Sequence, residues 1–165
     1  MVSIGRICFA ALLIVTVAYG SRLQAADSVV GSWRLTSWAE VETESKTVRT
    51  PFGENPTGVL TYTPDGRMSL LIIDPKRKPP AGPKATDAEA VELYRTMIAY
   101  SGAYSLEGNK VTHKIEVSWN QAWTGTNQQR FFEVKDETLT IKTPPIPSPI
   151  SGKESVHTLV WERVK

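Results

Sequence analysis

The sequence predicts an all-β fold, an antiparallel up-and-down β-barrel of eight or nine short strands with one short α-helix, and three observations predict it. Apolar and polar residues alternate with period two from Gly31 onward, the pattern of strands with one buried face. Turn residues separate consecutive strand-like runs into hairpins. One capped segment at helical spacing breaks the alternation. The length of 165 residues fits one domain and excludes a large multidomain machine.

The first 26 residues stand apart, because 18 of them are apolar. Arg6 supplies a short positive region, Ile7 to Tyr19 is a run of 13 residues that are apolar except for Thr16, and small residues lie at Ala18, Gly20, Ala25 and Ala26. This is the pattern of a secretory signal peptide, and the run is short of the roughly 20 apolar residues that span a bilayer. Cleavage near Ala26 leaves a mature domain of residues 27–165 with no integral membrane segment, exported to the periplasm or the extracellular space. Cys8, the only cysteine, leaves with the segment, so disulfides, thiolate metal sites and cysteine nucleophiles are excluded from the mature chain. Arg6 and Arg22 leave too, so 17 basic and 17 acidic side chains balance. That charge balance carries no electrostatic footprint for nucleic acid or an anionic membrane.

The elements follow in order. In the first strand Trp33, Leu35, Ser37 and Ala39 share one face, with Arg34, Thr36, Trp38 and Glu40 on the other. Gly58 to Thr63 and Arg67 to Ile73 are rich in strand formers and flank Pro64-Asp65-Gly66, the clearest hairpin. Asp74 to Ala85, rich in proline and lysine, reads as an exposed loop. Thr86 and Glu89 form a capping box, and Ala90, Tyr94, Met97, Ile98 and Ser101 keep helical spacing until Gly102. Tyr104 to Glu107 and Lys110 to Trp119 form a second hairpin across Gly108-Asn109. Gln128 to Val134 and Thr138 to Lys142 form a third, and Ser155 to Arg163 is the last strand. Thr143 to Lys153 reads as a long loop placed where a ligand gate could sit.

So many antiparallel strands in about 139 residues close most easily into a barrel, since closure removes exposed edges, with a β-sandwich as the alternative. An eight-stranded barrel has room inside for one small ligand. Seven blocks in order resemble the lipocalin-like domain family of bacterial and fungal proteins, which is distinct from the classical lipocalins. They are GSWRLTS (31–37), PFGENPTGVLTYTPDGRMS (51–69), IAYSGAY (98–104), VTHKIEVS (111–118), WTGTNQQRFF (123–132), LTIKTPP (139–145) and HTLVWERV (157–164). The resemblance implies a lipocalin-like barrel with an internal cavity. Gly31-x-Trp33 also resembles the first-strand motif of classical lipocalins, which implies that Trp33 packs at the closed end with Arg163 across it.

The ligand-binding candidates are His113, Trp119, Trp123, Arg130, Tyr62, Tyr104 and His157. His113 shares an apolar face with Val111, Ile115, Val117 and Trp119, where desolvation favours a neutral imidazole that donates from one nitrogen and accepts at the other. His157 shares a face with Leu159, Trp161 and Arg163, but its opposite face is nearly as apolar and its direction stays open. Arg130, if inward, offers paired donors to a ligand carboxylate, or is held by Glu116 or Glu133 in a structural pair. Trp119, Trp123, Tyr62 and Tyr104 suit an aromatic-lined pocket.

Two histidines fall short of the three or four ligands of a tight metal site, and no phosphate loop, nucleophile elbow or His-Glu-x-x-His motif occurs. No metal or cofactor is expected. Three functions remain. The first is an exported barrel binding a small hydrophobic or amphipathic molecule in its lumen. The second is a cofactor-free isomerase, cyclase or hydrolase using His113 with Tyr104, Arg130 or His157, which needs those groups within hydrogen-bonding reach. The third is a filled barrel acting as an interaction module.

Overall fold

The structure, a computed structural model, describes residues 29–165, so the expected signal peptide lies outside the described residues. In chain order the elements are β1 (Gly31–Glu42), β2 (Val48–Arg49), β3 (Thr57–Tyr62), β4 (Arg67–Ile73), α1 (Asp87–Arg95), β5 (Met97–Glu107), β6 (Lys110–Ser118), β7 (Asn127–Lys135), β8 (Thr138–Lys142), β9 (Ile146–Pro147) and β10 (Glu154–Arg163). The strands run in the order β2-β1-β3-β4-β5-β6-β7-β8-β10-β9, and β1 also pairs with β10. That last pairing closes eight strands into an antiparallel barrel and leaves β2 and β9 as short additions. The observed fold is thus the closed barrel, and the sandwich is excluded.

Alternation does what period two requires. In β4, Met68, Leu70 and Ile72 are buried between exposed neighbours, and in β10 Ser155, His157, Leu159 and Trp161 point inward. The Pro64-Asp65-Gly66 turn forms as expected: Gly66 sits at φ +83° and its N–H donates to the Thr63 carbonyl. At the closed end Arg163 lies 4.1 Å from the Trp33 ring centroid. A Cβ on Gly31, at φ +138°, would come within 2.6 Å of the Arg163 guanidinium. Only glycine lets the backbone pass under that side chain.

Three expectations need correction. The capping box of Thr86 and Glu89 is present, but α1 ends at Arg95, and Met97 to Ser101 belong to β5. Ile98 satisfies both periods, and the pairing of Ile98 with Ile72 and of Tyr100 with Leu70 decides for the strand because it buries both side chains. The second correction is in β1. A bulge at Thr36, which has no partner between Leu35↔Trp161 and Ser37↔Val160, reverses the alternation, so Trp38 and Glu40 face inward instead of Ser37 and Ala39. The third is in β6, where a bulge at Glu116 turns Val117 outward and leaves Trp119 partly buried beyond the strand. Gly102 lies opposite this bulge and ends no helix. A Cβ there would meet the Lys114 carbonyl oxygen at 1.9 Å.

Candidate ligand-binding cavity

The bulge at Thr36 turns Glu40 inward, where it joins polar groups supplied by other strands. On β1 Glu40 stands opposite His157 of β10. His157 in turn faces Thr143, just past β8: its backbone N–H donates to Thr143 Oγ1 at 2.9 Å, and the Thr143 N–H donates to its carbonyl at 2.9 Å. Continuing the β7–β8 register one step beyond Phe131↔Lys142 sets Arg130 beside Thr143. Glu40, His157, Thr143 and Arg130 therefore form one polar row inside the barrel, with exposures of 0, 3, 5 and 7%.

Each member is held differently. Glu40 Oε1 accepts from Ser151 Oγ at 2.5 Å and Ser155 Oγ at 3.0 Å. Burial alone would raise its carboxyl, but the serine hydroxyls and the neighbouring His157 outweigh it and hold the group below its ordinary value. Burial lowers His157, the nearby Arg130 adds to this, and Glu40 opposes it. Trp38 Nε1 donates to His157 Nδ1 at 3.1 Å, so in the neutral ring the proton sits on Nε2. Arg130 donates to the Gln129 carbonyl at 2.8 Å and to Gln128 Oε1 at 2.5 Å. The expected pairing with Glu116 or Glu133 does not form, because Glu116 lies outside and binds Arg67 through two bonds of 2.7 Å.

His113 is a separate polar centre, 1% exposed. Its Nε2 is 2.6 Å from Tyr62 Oη and its Nδ1 is 3.1 Å from Tyr100 Oη. One nitrogen donates and the other accepts, so both are used. Burial, with Arg130 adding to it, pushes the imidazole down to about 3, and it stays neutral at physiological pH.

A cavity of about 50 Å³ is lined by His113, Arg130, Thr143 and His157. Of the seven candidates, it takes His113, Trp123, Arg130 and His157 as lining. Tyr62 lies behind His113, and Tyr104 stacks edge-on to Tyr62 with ring centroids 4.8 Å apart while its hydroxyl donates to the Thr63 carbonyl. Trp119 packs edge-on to Trp123, also at 4.8 Å, and does not reach the space. Sequence reasoning missed Trp38, Tyr100 and Thr143 as lining residues. Trp38 is hidden by the bulge and Tyr100 by lying within the segment read as helix, whereas Thr143 follows directly from the β8 alternation. Leu70, Ile72, Ile98, Ile141 and Leu159 make the rest of the barrel wall apolar, and Ile146 and Pro149 reach in from the 143–153 connection.

The space is smaller than the roughly 150 Å³ in which an engineered apolar cavity holds benzene. A ring-sized molecule must displace part of the lining. Trp123, Ile146 and Pro149 sit on connections between barrel strands, the parts of a fold that yield most easily.

Among the described residues no group of three or more potential metal-ligating side chains occurs, and no helix is long and apolar enough to cross a membrane.

The model of a lipocalin-like domain family matches residues 30–164. Over 87 residues, 48% of this chain and 78% of the relative, the sequence is 31% identical to the 4'-hydroxy-3'-methoxypropiophenone carrier protein ppsC of Aspergillus oryzae. Among solved structures, a lipocalin-like protein from Bacteroides uniformis aligns with a TM-score of 0.45 at 10% identity, covering 83% of this chain and 99% of that one. An uncharacterised protein from Bacteroides eggerthii aligns at 0.42 and 11% identity, covering 82% and 99%.

Proposed function

This chain belongs to the lipocalin-like domain family, and from that premise we propose that it carries a small hydrophobic or amphipathic molecule in its barrel lumen without transforming it. The observation that carries the reading is the cavity itself: an apolar wall with a few convergent polar groups, which is how small-molecule sites are generally built. The relative from Aspergillus oryzae is named as a carrier of an aryl ketone, and an aromatic ligand fits a wall that includes Trp38, Trp123 and Tyr100. Holding suits this lumen better than acid–base chemistry. His113 spends both nitrogens on tyrosines and titrates near 3, far from the near-neutral value that a general base needs. We place the carrier outside the cytoplasm on the strength of Arg6 and the 13-residue apolar run after it.

Native mass spectrometry of the chain expressed with its first 26 residues tests both parts. The expected species starts near Asp27 and carries a small-molecule adduct that Arg130→Ala diminishes. A full-length mass contradicts export. A bare chain that no apolar or aromatic compound stabilises contradicts carriage and favours the filled-barrel module.

A further inference from the structure

The polar complement left free in the cavity is one-sided. His113 and Arg130 line the space but are engaged with Tyr62, Tyr100, Gln128 and Gln129. Thr143 Oγ1 already accepts from the His157 backbone. On the lining residues two side-chain atoms remain buried without a partner, His157 Nε2 and Trp161 Nε1. Both are donors: the indole nitrogen always is, and the bond from Trp38 to Nδ1 puts the imidazole proton on Nε2. They stand four residues apart on the inward face of β10 with Leu159 between them, and Trp161 is 0% exposed. Glu40 Oε2 is also unpartnered, one strand away on β1, but Glu40 does not line the cavity.

A buried donor without an acceptor costs free energy, and a ligand that supplies the acceptor recovers it. Resting on the carrier reading above, we propose that the ligand bears an oxygen hydrogen-bond acceptor of the ketone, ester or carboxylate kind, received by the His157 and Trp161 N–H groups, on a body of apolar, ring-like shape. Arg130, with no carboxylate within 4.0 Å among the described residues, adds attraction if the oxygen is anionic.

The test uses three single-ring probes of similar size, acetophenone, benzoate and ethylbenzene, titrated by NMR into the ¹⁵N-labelled chain and its Trp161→Phe variant. The expected result is that acetophenone or benzoate binds about fivefold more tightly than ethylbenzene, the value of one hydrogen bond. Trp161→Phe is expected to lower that preference, read as the ratio of oxygen-probe to ethylbenzene affinity within each chain, and the oxygen probes should move the Trp161 indole N–H resonance downfield, as a hydrogen bond does. The indole shift is read on the unsubstituted chain and needs no variant to fold. Preference for benzoate over acetophenone assigns the oxygen to a carboxylate against Arg130; the reverse order assigns it to a neutral carbonyl. Equal binding of all three probes, with an unmoved indole resonance, overturns the inference and leaves the carrier reading standing. Binding of none overturns both.

Discussion

His113 shows how a single residue can be costly and fixed at once. Its ring is buried, and the two tyrosine hydroxyls take both of its nitrogens. Tyr62→Phe removes the bond to Nε2 and leaves a buried nitrogen unsatisfied. It is expected to cost about 1 to 3 kcal/mol in urea unfolding, and a loss near zero would show that the bond contributes nothing net. The titration follows from the same burial. The folded value is about 3 against an ordinary 6.5, so between these pH values the unfolded chain binds more protons. Stability is therefore full above about pH 6.5 and falls as pH is lowered toward 3. His157 is shifted the same way, and Glu40 adds a further loss at lower pH, where its lowered carboxyl is protonated first in the unfolded chain. Between pH 6.5 and 5 the ordinary carboxylates contribute little, so the slope of unfolding free energy there reports the histidines. His113→Gln is expected to flatten it, and an unchanged slope would contradict the buried neutral imidazole.

At the scale of elements the two bulges decide what reaches the lumen. Gly102 is bound to its bulge by sterics, since a Cβ would overlap the Lys114 carbonyl. Gly102→Ala is expected to unfold the barrel or cost more than about 3 kcal/mol, whereas Gly82→Ala, with nothing within 4 Å of its Cβ in the 74–86 loop, should change stability little. Thermal unfolding of the two variants side by side checks this, and equal midpoints would contradict it. The bulges also mark where the sequence is legible and where it is not. Unbroken period two placed His113 inward and turn chemistry gave the hairpin of Pro64-Asp65-Gly66, because both are local, whereas the direction of Arg130 stayed open until the register of β7 with β8 fixed it. An inserted residue in β1 reverses every side chain after it, and nothing in Leu35-Thr36-Ser37 announces it; only pairing with Trp161 and Val160 does. The helix end was missed for a related reason. Ile98 fits helix and strand alike, and the choice belongs to its partner Ile72 in β4, far earlier in the chain.

For the whole molecule, closure between β1 and β10 joins the chain's first and last strands and places Glu40 beside His157. Arg163 caps the same closure from the outside of Trp33, with its Nη1 donating to the Val30 carbonyl at 2.7 Å. Arg163→Met keeps much of the apolar stem but loses the cation over the ring. It is expected to lower stability by about 1 kcal/mol without changing ligand affinity, because neither Arg163 nor Trp33 lines the cavity. Parallel urea unfolding and probe titration check the split, and a matching loss of affinity would contradict the separation of closed end from site.

The central claim is that the lumen, not the outer surface, receives the ligand. The most direct measurement is the map of NMR shift changes when an aromatic ligand is titrated into the labelled chain. The account predicts changes concentrated at His113, Arg130, Ile141, His157 and Leu159, with the outer residues Val59, Leu71, Val117 and Phe131 unmoved. Changes confined to those outer residues, with the lumen silent, would contradict it.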